Sequence, residues 1–455
     1  MKRLFKWIAG ALAGLLLAAG LALAGWHVID DSPPIAQLKD EASPFDADAL
    51  FVLVDADMAA TAYADAILHP ISDAKDLLIT LESPGGQSPA IRKSEVPNTV
   101  MGWPGSMTAS KDGTLLFIIS ARKAVDRGVQ AFENRVQEDM PRARLLSVVD
   151  AQSGQIIAQA ETCDSPLSAD LAPGEKWLLI ACGNNEAQLQ VIPLEEGQPS
   201  KPRSFSLDVP DYELAAAEPG ARFASVHPSS KAAGVILHNR YVTLVRFEVD
   251  EEGIPIAASA EAPMNSEGWL SMSRWTRSGG HFIVADVAWG PAPTDALFNG
   301  KGRLISYALS PENDTRGIAS EAVVSKSPEG FEFNRTGDLI AVVNMERTAL
   351  PGGPLGLAPG RKASSLSLVS VNDTSGALET QGPPVGFRGV LPEDVAFDAD
   401  GDQLAVVVFQ DHEKPRSDGW IAYFDIVREG GALKVVPLDK TTPLPRGGHD
   451  LHVRY

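Results

Sequence analysis

Four side chains in this 455-residue sequence have the types and setting that shared chemistry would need: Glu267, Glu329, Glu393 and His449. Glu329 and Glu393 lie in closely similar phrases, Pro328-Glu-Gly and Pro392-Glu-Asp, and Glu267 stands before Gly268 at a weaker copy. Brought together, Glu267, Glu329 and Glu393 offer oxygen ligands to a hard divalent cation such as calcium. Such an ion polarises an ester or lactone carbonyl, with Glu329, Glu393 or His449 as general base. The plainer alternative is that Pro-Glu-Gly opens a strand and its Glu bonds neighbouring backbone amides. Carboxylates crowded without such partners raise one another's pKa.

Other motifs carry less. His449-Asp450-Leu451-His452 invites a metal reading, but residues three apart on a strand face opposite ways. His449 alone is therefore expected to reach a shared site, and structural histidines are the simpler reading. Asp398-Ala-Asp-Gly-Asp402 lacks the later bidentate Glu of a calcium loop and reads as a tight turn. The sequence has no Gly-x-Ser-x-Gly elbow and no phosphate-cradling Gly-rich loop. Trp103, Trp269, Trp275, Trp289 and Trp420 fall near strand or loop ends, where they seal contacts between units or line a sugar- or peptide-binding surface.

These residues are positioned by a recurring phrase. Its clearest copies are Pro328–Asn344 and Pro392–Val408, each a short alternating strand, a Gly-bearing turn and an apolar strand. Weaker copies begin at Pro104, Pro166, Gly220 and Gly268, and a truncated one runs from Gly448 to Tyr455. A variable loop and a second strand pair follow each full copy, so the period of roughly 50–60 residues holds four strands. The fold class is all-β: a β-propeller of seven four-stranded blades, with six or eight left open. The truncated copy supplies only an inner strand, so N-terminal strands must complete its blade: Ala49–Asp55, the segment around Tyr63, and Leu77–Glu82. Thr61–Leu68 could equally be helical. Such closure removes two sheet edges. The links into the inner strands and those between second and third strands share one face. That face carries Glu267, Glu329, Glu393, Asp394, His449 and Asp450. It also carries the long inserts at 121–144, 288–303, 345–364 and 410–419.

A basic start followed by the uncharged run Trp7–Trp26, with small residues at Ala22 and Ala24, makes residues 1–24 a signal peptide. The run approaches the ~20 residues that span a bilayer, so an anchor retained to about residue 29 is the alternative; a linker at 25–46 and a propeller at 47–455 follow. Export to the periplasm or cell surface is expected, with membrane contact only through an uncleaved leader. In that oxidising setting the two cysteines, Cys163 and Cys182, are expected to pair, stabilising by about 3 kcal/mol. The net charge of −20 excludes a nucleic-acid partner, which needs clustered cations, and an anionic ligand would require a local basic patch.

The Pro-Glu-Gly/Asp phrases at Pro328 and Pro392, each with its Gly turn and apolar strand, make the chain resemble the lactonase-like, YVTN-type seven-bladed propeller superfamily. The strand Ile340-Ala-Val-Val-Asn344 stands where the family has its tetrapeptide. The resemblance implies fold more than function, because the superfamily includes binding proteins as well as lactonases. The expectation is an exported module binding a protein or small molecule at the cell envelope. The alternative is a metal-assisted, lactonase-like hydrolase.

Overall fold

The computed structural model describes residues 12, 14–20, 32–40, 45–85, 89–99, 102–126, 128–183, 187–210, 220–290, 299–312, 315–350, 363–412 and 418–455. The Ala22–Ala24 cleavage site lies outside them. Leu12 and residues 14–20 are helical with exposed leucines, and no described helix is long and apolar enough to cross a membrane.

Seven small antiparallel sheets form the propeller. Blade 1 opens with the inner strand Met107–Ala109, blade 2 with Pro166–Leu171, blade 3 with Ala221–Val226, blade 4 with Leu270–Trp275, blade 5 with Pro328–Phe333 and blade 6 with Val390–Phe397. Blade 7 joins Gly448–Arg454 to Ala49–Val54, Leu77–Glu82 and Ala90–Glu95, in that order from the axis outward. Ring closure by the two ends of the sequence therefore holds. One partner differs from expectation: Ala90–Glu95 is the outermost strand, while Ala62–Asp65, which contains Tyr63, is a single helical turn, the alternative left open for that segment. Its left-handed C-cap at Ala66 turns the chain back at once.

Burial explains the sequence pattern. Second strands such as Trp177–Cys182, Leu339–Asn344 and Gln403–Gln410 are covered on both faces by adjacent blades and are buried throughout. They consequently read as continuous apolar runs. Outermost strands such as Ala90–Glu95 and Ile156–Glu161 alternate toward solvent. Apolar clusters fill the junctions in turn: Phe51 with Ile118 between blades 7 and 1, Phe117 with Ile180 between 1 and 2, Trp177 with Val235 between 2 and 3. Phe282, Ile305 and Phe331 join blades 4 and 5, Leu366 and Phe397 blades 5 and 6, and Val52 and Tyr423 blades 6 and 7.

The Gly-bearing turns lie at the end of the blades opposite the long loops. Asn334 Oδ1 accepts amide hydrogens from Gly337, Asp338 and Leu339, and Asp398 Oδ1 does the same for Gly401, Asp402 and Gln403. Asp398–Asp402 is thus a turn whose carboxylate is engaged by the backbone. Before entering blade 7, residues 32–40 lie as a strap against the outer strands of blades 5 and 6, with Ala36 N donating to Gly386 O and Lys39 N to Pro437 O, both at 2.9 Å.

Candidate functional site at the channel mouth

A backbone irregularity recurs where the inner strands begin. In blades 2 to 7 the pairing with the second strand slips between Pro166 and Ser168, Ala221 and Phe223, Leu270 and Ser273, Pro328 and Phe331, Pro392 and Asp394, and Gly448 and Asp450. Each slip is a β-bulge, which re-aims the extra residue. Those residues include Leu167, Arg222, Ser271, Glu329, Glu393 and His449. Three of the four singled-out side chains thus share one structural position in adjacent blades. Glu267 instead lies in the preceding link, is exposed, and shares no ion-sized site with Glu329 and Glu393.

The next residue latches blades together. Asp450 Oδ2 accepts hydrogen bonds from the amides of Gly105 (3.0 Å), Ser106 (2.7 Å) and Met107 (3.0 Å) and from the Ser106 hydroxyl (3.1 Å). Asp394 Oδ2 accepts from Leu451 N at 3.1 Å, and Ser168 Oγ from Ala224 N at 3.1 Å. Blade 5 has Gly330 at this place because a Cβ there would meet the Glu393 carbonyl oxygen at 2.2 Å. The role of bonding backbone amides therefore belongs to Asp394 and Asp450 rather than to Glu329 and Glu393.

Glu329 and Glu393 are 4% exposed, and Glu329 Oε2 has no hydrogen-bond partner among the described residues. Burial pushes the Glu329 carboxyl up to about 8. Glu393 is raised well above the ordinary carboxyl range by burial first and then by Glu329, Asp394, Asp450 and Asp55. His449 is buried against Asn98, with Nε2 3.0 Å from Asn98 Oδ1, and desolvation lowers it to about 3. It is neutral and held by its neighbour. His452 is the histidine that feels the channel cation Arg274, which lies beside Glu332 at 3.4 Å.

The blade 7 loop carries Tyr63 over the mouth. Burial raises its hydroxyl pKa, with Glu393, Asp55 and Glu329 adding to the shift and Arg122 opposing it. Around it the loops build an apolar cap from Met58, Leu68, Val136, Met140, Met345 and Phe409. Trp289 of the blade 4 loop meets Trp103, from the link into blade 1, at 6.0 Å between ring centroids, and Trp269 at 6.2 Å. Since blades 1 and 4 are not neighbours, this half-buried aromatic group reaches across the ring. Trp275 has the sealing role, donating to Ser225 O of blade 3 at 3.0 Å.

A cavity of about 620 Å³ opens between the blade 7 and blade 1 loops, lined among others by Asp57, Lys75, Asp76, Arg122, Lys123 and Asp126. Here Asp55, Asp57 and Asp76 have carboxylate oxygens within 4.8 Å of one another, a set of hard donors suited to a divalent cation. These oxygens already serve the loops: Asp57 Oδ2 accepts from Val125 N at 2.9 Å, and Asp76 Oδ2 from Thr99 Oγ1 at 2.8 Å. Buried Arg446, lowered to about 10 by desolvation, is held up by Asp55 and Asp57. The trio was not singled out from the sequence because Asp76 follows the other two at a distance set only by the loop's return.

Cys163 and Cys182 form a disulfide, with Cα atoms 6.0 Å apart, joining the link into blade 2 to the end of that blade's second strand. Arg122 and Arg222, absent from the sequence expectations, flank this bridge. Aligning the repeat phrases would have placed Arg222 level with Glu329.

No protein-family model matches the sequence, and neither does any curated protein. Among solved structures, a "putative 6-phosphogluconolactonase" from Bacteroides fragilis is similar at 12% identity and TM-score 0.55, covering 89% of this chain and 98% of its own. One of the same description from Bacteroides uniformis is similar at 13% identity and TM-score 0.55, with 89% and 99% covered. A protein from Lactobacillus plantarum gives 10% identity and TM-score 0.54, with 90% and 100% covered. The resemblance to lactonase-like seven-bladed propellers holds at the level of fold.

Proposed function

We propose that this is an exported propeller that binds a small molecule or protein segment at the loop-bearing mouth of its channel, acting at the cell envelope. One observation carries the reading: at this mouth Glu329 Oε2, Arg122 Nε and Arg222 Nε are buried without hydrogen-bond partners among the described residues. Such atoms are rare in folded proteins because leaving them unpaired is unfavourable, and a ligand is one means of satisfying them. The charge-free N-terminal run and the disulfide support export.

A hydrolase is the second reading, favoured by the Glu329 carboxyl at about 8 beside Glu393, itself raised well above the ordinary carboxyl range. A protonated carboxyl at neutral pH can protonate a leaving group. Metal assistance would use the Asp55, Asp57 and Asp76 oxygens or the two glutamates. Elemental analysis, a panel of lactones and esters, and tryptophan fluorescence under a ligand screen distinguish the two readings, each run on the parent and on Glu329→Gln and Glu393→Gln. Saturable fluorescence change without turnover supports the binding module. Turnover lost in either variant, accompanied by a stoichiometric divalent metal in the parent, supports the metal-assisted hydrolase. Neither binding nor turnover sinks the assignment of function to this mouth.

A further inference from the structure

Against a net charge of −20, three guanidinium groups collect on the wall formed by blades 1 to 3. Arg142 is answered by Asp164 at 2.8 Å. Arg122 is buried, and its Nη atoms reach only neutral oxygens: Ser165 Oγ, Ala121 O and Gln137 O. Its Nε has no acceptor among the described residues. Arg222, on the blade 3 bulge, makes no hydrogen bond or ion pair among the described residues, and its Nε is likewise buried and unpaired.

The disulfide holds the two together. Ser165, two residues after Cys163, bonds Arg122 through its hydroxyl and receives Gly183 N on its carbonyl at 3.2 Å. Gly183 follows Cys182 and lies directly against Gly220, where an added Cβ would meet the Gly183 oxygen at 3.1 Å. Gly220 leads in two residues to Arg222. Ser165 keeps a φ of +60°, a conformation that a non-glycine residue holds only when its surroundings require it. The wall is therefore a braced carrier of two buried guanidinium Nε groups without acceptors among the described residues, Arg122 being answered only in part, at a distance, by Asp164, a disposition that folding alone disfavours.

We propose that Arg222, supported by Arg122 and the disulfide-braced Ser165–Gly183 wall, seats an oxyanion, a carboxylate or phosphate group of the ligand. The planar guanidinium fork suits both through paired N–H···O bonds. This deepens the binding reading above and rests on it.

The test titrates the exported chain with inorganic phosphate and, separately, succinate, at ionic strength balanced with sodium chloride so that screening stays constant. Calorimetry should show saturable binding by at least one probe, weakened on the order of tenfold or more in Arg222→Gln, as expected for loss of a charged hydrogen bond. Binding of phosphate alone identifies a phosphorylated ligand, and binding of succinate alone a carboxylate one. Arg122→Gln should weaken the same probe. If that buried variant does not fold, Arg222→Gln decides, because its side chain holds no hydrogen bond or ion pair among the described residues. No saturable binding by either probe, or equal affinity in Arg222→Gln, overturns the seat. A ligand found by fluorescence that binds Arg222→Gln as tightly as the parent also overturns it while leaving the binding reading standing.

Discussion

Blade 3 and blades 5 and 6 bend their inner strands at the same place, yet blade 3 offers Arg222 there while blades 5 and 6 offer Glu329 and Glu393. The backbone device is common and the charge is opposite. The fold thus requires the bend, and the side chain on it is left to other demands. The residue one step further along obeys the opposite rule. Asp450, Asp394 and Ser168 each tie their blade to the next through its backbone, and their chemistry follows from that task.

The strongest way to break the comparison is at the latch. Asp450→Ala would strip the amides of Gly105, Ser106 and Met107 of their acceptor at the junction that closes the ring. A loss on the order of 3–5 kcal/mol is expected from urea unfolding, and a loss under about 1 kcal/mol would mean the bulge and latch positions are not energetically distinct.

At the bulge itself the expectation reverses. Folded Glu329 keeps its proton to about pH 8, whereas the unfolded carboxyl releases it near 4.5. The folded chain holds the extra proton between those values, so this group's contribution is full below 4.5 and is lost as pH rises toward 8. Glu329→Gln should remove that slope and gain on the order of 4 kcal/mol near pH 8, with little change near pH 4. His449 acts oppositely: lowered from 6.5 to about 3, it takes stability away as pH falls below 6.5. Melting temperatures across pH 4–9 check both limbs, and a parent curve that stays flat to pH 8 would contradict the buried-carboxyl account.

The smallest effect sharpens the contrast most. Arg222→Gln breaks no hydrogen bond or ion pair among the described residues and removes a charge that burial disfavours, so stability should not fall by more than about 0.5 kcal/mol below the parent. A larger loss in thermal unfolding would show that the arginine serves the fold.

These differences track what could be seen in the sequence. The propeller was legible because each blade repeats a turn and an apolar run, and those patterns report local needs: a side chain that can cap a turn at Asn334 or Asp398, and a strand covered on both faces. The closing blade was legible except for its outermost strand, Ala90–Glu95, because the segment around Tyr63 alternates plausibly as a strand as well as a helix, and the structure makes it a helical turn. Glu329, Glu393 and His449 could be seen as candidates because their phrases repeat. Their environment could not, since burial and missing partners arise only when blades meet. Arg222 stands level with Glu329 in a weaker copy of the phrase, whereas Arg122 and the Asp55, Asp57 and Asp76 group form no phrase at all, and three-dimensional folding alone brings the members of that group near one another.

Pairing Ala49–Val54 with Gly448–Arg454 also sets a schedule for assembly. The earliest propeller strands to be synthesised must wait beside an open edge until the last strand of the ring has been made. Contacts so remote in sequence slow folding, although the entropy of closing so long a loop grows only logarithmically with its length. Until that final strand docks, the nascent ring presents unpaired backbone to whatever is nearby. The interval before closure is when a chaperone or protease would compete for this protein.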